Sequence, residues 1–145
     1  MNMSDWRKEL GSILEGRARA SRAEQENAQF DTFLQQVASP ALHELADELK
    51  RHKRDAQVRT APAAIQLTVR NGDIEEIAFR VLKRSVPNGI VPYAEVRLRK
   101  GLRLVKTESV LRDTPAVATI EEACRDDVIQ CFLKHYRMVL DAEQA

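Results

Sequence analysis

Cys131 and His135 stand four residues apart and carry side chains that can bind metal or share a proton. On a helix that spacing puts both on one face. A structural zinc site needs four ligands, usually in two local pairs, and no second pair at ligand spacing exists. His43 and His52 are nine apart, and Cys124 lies two turns from Cys131. The pair therefore reads as a small buried cysteine beside a partly buried histidine. Nucleophilic chemistry fares no better. A reactive thiolate wants an electropositive, accessible setting, whereas Glu121, Glu122, Asp126 and Asp127 crowd Cys124 in sequence and no histidine is within helical reach of it. Glycines at 11, 16, 72, 89 and 101 are scattered, so no loop is built to cradle phosphate. The adjacent carboxylates Glu75/Glu76 and Asp126/Asp127 diverge as sequence neighbours and read as solvated surface. No residue is assigned a catalytic, metal or cofactor role, and the expectation is a protein that is not an enzyme.

The basic residues are the next candidates. Residues 79–112 hold nine basic residues against two acidic ones, and residues 113–145 hold three against seven. The net charge of +1 thus conceals a basic middle and an acidic end. Period-two alternation places Arg97, Arg99 and Arg103 on the face away from Val96, Leu98 and Leu104, with Lys100 at the reversal between them. Such a face is a possible anion or nucleic-acid contact. Only Tyr93 is nearby to stack on a base, so nucleic acid is possible but not favoured over edge protection, internal pairing or a protein partner. The basic run Lys50-Arg51-His52-Lys53-Arg54 complements the dipole at a helix C-terminus.

These residues need elements to hold them. Trp6, Leu10, Ile13 and Leu14 recur at helical spacing after Ser4, a suitable N-cap. Arg17 to Asn27 carries almost no large apolar side chain and reads as an exposed turn of helix, a linker, or a surface for another chain. Phe30, Phe33, Leu34, Val37, Ala41, Leu45 and Leu49 then predict one kinked helix, or two nearly collinear ones, over about 22–53, with Ser39 as a new N-cap and Pro40 at N1. From about 62 the period changes to two. Ile65, Leu67 and Val69 predict a strand, and Asn71-Gly72 a hairpin. A three-residue loop at Asn71 to Asp73 sets Leu67 opposite Ile77 and Ile65 opposite Phe79, whereas a two-residue loop sets Leu67 opposite Glu76. Residues 74–84 also fit a helix, with Asp73 and Glu76 as a capping pair; the hairpin and strand-forming Ile, Phe and Val favour a strand. Pro87-Asn88-Gly89 and Pro92 bracket a loop. A second hairpin with a three-residue loop at Arg99 to Gly101 sets Leu98 against Leu102 and Val96 against Leu104, and Thr107 to Arg112 extends its last strand. Thr119 and Glu122 form a capping box before a stripe of Ile120, Cys124, Val128, Cys131, Phe132, His135, Tyr136, Val139 and Leu140.

The expected fold class is α+β: a long kinked N-terminal helix or two helices, an antiparallel meander of three or four strands, and a C-terminal helix packed on the sheet. At 145 residues, with 31% charged and 43% hydrophobic residues, the composition fits a single soluble domain, with 1–21 as a peripheral helical arm. No stretch approaches the roughly 18–20 apolar residues of a membrane span, and the first residues show no apolar leader. Two cysteines seven apart on one helix are separated by about 10.5 Å, beyond the ~7 Å reach of a disulfide. Free thiols fit the cytoplasm. More helix is present than one sheet face can cover. Trp6, Leu10, Ile13, Leu14, Phe30 and Phe33 are therefore the expected contacts to a second copy or a protein client. The resulting expectation is a small cytoplasmic protein-interaction domain, homodimeric, with no membrane association.

Overall fold

The computed structural model describes residues 3–87 and 89–144; the side-chain cap expected of Ser4 and the turn residue Asn88 fall outside it. Helix α1 (Met3–Phe33) passes through a π-helical turn (Leu34–Ala38) directly into α2 (Ser39–Arg51). The two N-terminal helical segments expected from the sequence are thus one continuous rod, and Arg17 to Asn27 is helical throughout. Ser39 is no N-cap. It holds helical angles (φ −61°, ψ −50°) and its N–H donates to the Leu34 carbonyl five residues back. Pro40 explains the turn: its ring has no N–H and crowds the carbonyl one turn earlier, and widening the helix by one residue relieves both. The inserted residue also rotates the apolar stripe. Phe30, Phe33 and Leu34 lead into Ala38, Ala41, Leu42 and Ala46, while Val37, Leu45 and Leu49 are only partly buried.

The helix ends where Lys53 turns left-handed (φ 63°) and the Arg54 N–H reaches the Leu49 carbonyl (3.0 Å), with Lys53 N–H on Lys50 (3.0 Å). This paired closure is the Schellman pattern, with lysine where glycine is usual. It turns the chain straight into β1 (Asp55–Ala61), a strand that lies between the expected helix end near 53 and the expected change of period near 62. Strands β2 (Ala64–Asn71), β3 (Ile74–Val86), β4 (Gly89–Lys100) and β5 (Arg103–Val110) follow in a five-stranded antiparallel sheet ordered as in sequence, one strand more than the largest number expected. Residues 74–84 are strand. Pro92, expected in a loop, is buried inside β4 opposite Lys83.

Both expected hairpin registers are corrected. Gly72 and Gly101 each take φ near +60° at the first central position of a two-residue turn, the position glycine fills without strain. Asn71 therefore pairs with Ile74, and Lys100 with Arg103. Leu67 faces Phe79, Ile65 faces Val81, Leu98 faces Val105 and Val96 faces Thr107. Leu102 stands at the hairpin tip, 97% exposed, and Leu104 lies opposite Arg99. In the first hairpin a β-bulge restores the pattern. Arg70 faces Glu75 and Val69 faces Ile77, so Glu76 has no cross-strand partner, and the extra residue turns Ile77, Phe79 and Val81 back to the core.

Helix α3 (Arg125–Gln144) begins five residues after the expected Ile120. Thr119 and Glu122 do bond to each other (Oγ1 to Oε1, 3.0 Å), but they close an isolated turn. Cys124 caps the helix: its N–H donates to Asp127 Oδ2 (3.0 Å), and its carbonyl receives Asp127 N–H (3.1 Å). Cys124 is exposed and off the core stripe, which runs through Val128, Cys131, Phe132, His135 and Val139. The helices pack on one face of the sheet, against Leu67, Val69, Ile77, Phe79, Val96 and Leu98, and Phe79 meets Phe132 edge-on at 5.6 Å. The other sheet face is open. No helix among the described residues is long and apolar enough to cross a membrane.

Candidate interaction surfaces

Cross-strand neighbours share a face, so the pairing decides which basic residues can act together. Thr68, Ala78, Arg97 and Lys106 form one row on the open face, and Gln66, Arg80, Glu95 and Glu108 the next. Arg103 is not among them. It pairs with Lys100 on the helix side of the sheet, and Lys106 takes the place beside Arg97. The expected trio is therefore split by the two-residue turn.

Arg97 and Arg99 are already engaged. Arg97 donates twice to the Glu75 carboxylate, Nε to Oε2 and Nη2 to Oε1, both at 2.8 Å, and Arg99 Nε donates to the Glu75 carbonyl at 2.7 Å. The bidentate guanidinium holds the Glu75 carboxyl below its ordinary range and raises Arg97 in return. Arg84 donates to Glu108 (2.9 Å) and lies 4.5 Å over the ring of Tyr93, covering the one aromatic of β4 and β5. The open face holds a polar cleft of about 190 Å³ between Gln57, Arg59, Thr68, Arg70, Glu75 and Arg97. In the basic run at the end of α2, Arg51 and His52 lie against Glu48 at 3.3 and 3.4 Å.

Cys131 and His135 come together as expected, both buried. His135 Nδ1 donates to the Cys131 carbonyl (2.8 Å), which assigns its proton, and Cys131 Sγ lies against the Val110 carbonyl (3.9 Å). Burial pushes the Cys131 thiol up to about 11 and lowers His135, so both stay neutral near pH 7. Both side chains lie on the core stripe of α3. No group of three or more His, Cys, Asp or Glu gathers at metal-binding spacing among the described residues.

One buried cluster carries no signal in the sequence. Glu76, expected at the surface, is fully buried at the bulge; its Oε1 accepts from Arg54 Nε (2.9 Å) and Tyr136 Oη (2.7 Å), while Oε2 has no partner. Burial and the neighbouring carboxylate push the Tyr136 phenol up to about 12. This ties the helix-to-β1 turn, the bulge and α3 into one junction. Removing one partner from a buried group of this kind is strongly destabilising, because the charge left behind is uncompensated.

The remaining candidate surface is the apolar stripe of α1. Of the six expected partner contacts, Phe30 and Phe33 are inside this chain's own core, stacked on each other at 5.9 Å. Trp6, Leu10, Ile13 and Leu14 are 51%, 46%, 58% and 56% exposed. Nearly all of residues 5–29 is exposed, and burial begins at Phe30, so the arm is longer than the expected 1–21. Over about 25 residues it projects on the order of 37 Å. Glu26 marks its root, accepting Ser85 Oγ at 2.9 Å. No family model, curated protein or solved structure matches this chain.

Proposed function

We propose that this chain is a non-catalytic protein-interaction domain of the cytoplasm, homodimeric, that binds through its projecting N-terminal helix. One observation carries the reading: four large apolar side chains recur on one face of a helix that has left the body that could bury them. Together they leave on the order of 400 Å² of apolar surface, the size of the largest patch on a typical monomer, which is often functional. The arm also lacks other support. Most helical stability in proteins comes from packing an amphipathic face, and residues 17–27 bury almost nothing. The titratable pairs elsewhere support the same reading, since each is spent on packing or on an internal ion pair.

The test is hydrodynamic. Light scattering is expected to give the wild type a mass above one chain, and Leu10→Glu/Ile13→Glu a single-chain mass with an unchanged circular dichroism spectrum of the sheet. A wild type that is strictly monomeric and equally soluble with both glutamates in place contradicts the reading.

A further inference from the structure

The face that begins with Trp6, Leu10, Ile13 and Leu14 continues, at about 100° per residue, through Arg17, Glu24, Ala28, Asp31 and Gln35. Phe30 and Phe33 enter the core from the opposite side of the same helix. Where this outer face meets the body, it borders a groove of about 340 Å³ between Asp31, Leu34 and Gln35 of the helix and Ala61, Ala64 and Ile65 of the β1–β2 hairpin. One helix face thus carries an unburied apolar stripe and an unfilled, mainly apolar groove, with centres about 24 residues or 36 Å apart.

We infer that the occupant of each groove is the stripe of a second copy of this chain, running antiparallel, with the two-fold axis near Glu24. This rests on the reading of the arm as a docking element and names its partner. Such a pairing puts Ile13 opposite Gln35, Leu14 opposite Leu34, and Arg17 opposite Asp31, each twice by symmetry. Charge selects the direction. A parallel pair confronts Arg17 with Arg17, Glu24 with Glu24 and Asp31 with Asp31. The antiparallel pair turns the outer two into opposite-charge contacts and leaves only Glu24 meeting its twin on the axis. Area selects the extent. Stripe on stripe alone, with only the arm tips overlapping, buries about 800 Å² in total, short of the roughly 1,200 Å² of a stable interface. Full-length overlap adds the intervening helix faces and both grooves.

Single cysteines on the exposed helix, introduced into the full chain with Cys124→Ser, read the arrangement directly under mild oxidation. Glu24→Cys is expected to give a disulfide-linked dimer. Ile13→Cys and Gln35→Cys are each expected to stay unlinked alone and to link when combined in one chain. Leu10→Cys and the off-face control Arg22→Cys are expected to stay unlinked. Self-linkage of Leu10→Cys with Glu24→Cys silent indicates overlapping tips, and self-linkage of Ile13→Cys indicates a parallel pair. Either overturns the inference and leaves the arm as a docking element. Linkage of Arg22→Cys as fast as Glu24→Cys marks the links as collisional and also overturns it. No linkage at any position, with a single-chain mass, overturns both readings.

Discussion

Removing one hydroxyl, with Tyr136→Phe, tests the junction that holds β1, the bulge and α3 together. The phenol donates to Glu76 Oε1 at 2.7 Å, and the other oxygen of that buried carboxylate is already without a partner. A hydrogen bond to a charged group contributes about 1.5–3 kcal/mol, and the ring itself still stacks on Phe132 at 5.4 Å. The expected loss is therefore about 2 kcal/mol, or about 6–8 °C in Tm for a chain of this length. The effect also carries a pH signature. The folded protein holds the Tyr136 proton to about 12, against 10.0 for a free phenol. Stabilisation from this group is therefore complete below about pH 10 and is lost as the pH rises towards 12. Urea denaturation of wild type and variant at pH 8 and at steps up to pH 11.5 measures both parts. The stability difference is expected to be near its full value at pH 8 and to shrink towards zero at the top of the range. A difference below about 0.5 kcal/mol at pH 8, or one that does not change with pH, refutes the placement of Glu76 in the core.

Three further outcomes follow from local geometry. Lys53→Gly and Ala63→Gly, at non-glycine positions with φ of 63° and 58°, are each expected to raise stability by about 0.5–1 kcal/mol in denaturant titrations, since relieved strain outweighs the added freedom of the unfolded chain. A thiol reagent is expected to modify one cysteine per chain in the native state, Cys124, and two in denaturant, because Cys131 is buried with its thiol pushed up to about 11. His135 is held neutral by burial below its ordinary value of 6.5. The unfolded chain thus binds a proton there first, and stability is expected to fall as the pH drops below about 6.5, a slope that His135→Phe reduces.

The architecture was legible where one periodicity dominated. The apolar alternation of β2 and β4, the stripe of α3 and the heptad-like positions of the arm each named their own element and face. What escaped was set by single residues acting against their neighbourhood. β1 has only Val58 and two alanines to show among Asp55, Gln57, Arg59 and Thr60, and its turn uses Pro62-Ala63 without a glycine, so neither pattern nor punctuation marks it. The π-helical turn follows from Pro40, yet a proline after serine equally signals a fresh helix start. Alternation groups the residues of one strand by side, but which sheet face and which partner they meet depend on the turn, and both glycines take the two-residue form. Glu76 was hidden by this same ambiguity. Only with a bulge does a glutamate beside the turn become a core residue, and its cation, Arg54, comes from 22 residues earlier. The basic trio was regrouped for a related reason: the two-residue turn carries Arg103 to the helix side, and Glu75, on the neighbouring strand, accepts from both Arg97 and Arg99.

Amide hydrogen exchange along residues 5–29, at dilute and concentrated protein, reads the proposed arm interface itself. If the apolar stripe of the arm is an interface, protection of these amides rises with concentration in the wild type. It is lost in Leu10→Glu/Ile13→Glu, while the amides of β2, β3 and β4 stay protected in both. Fast arm exchange that is the same at every concentration and in both proteins contradicts it.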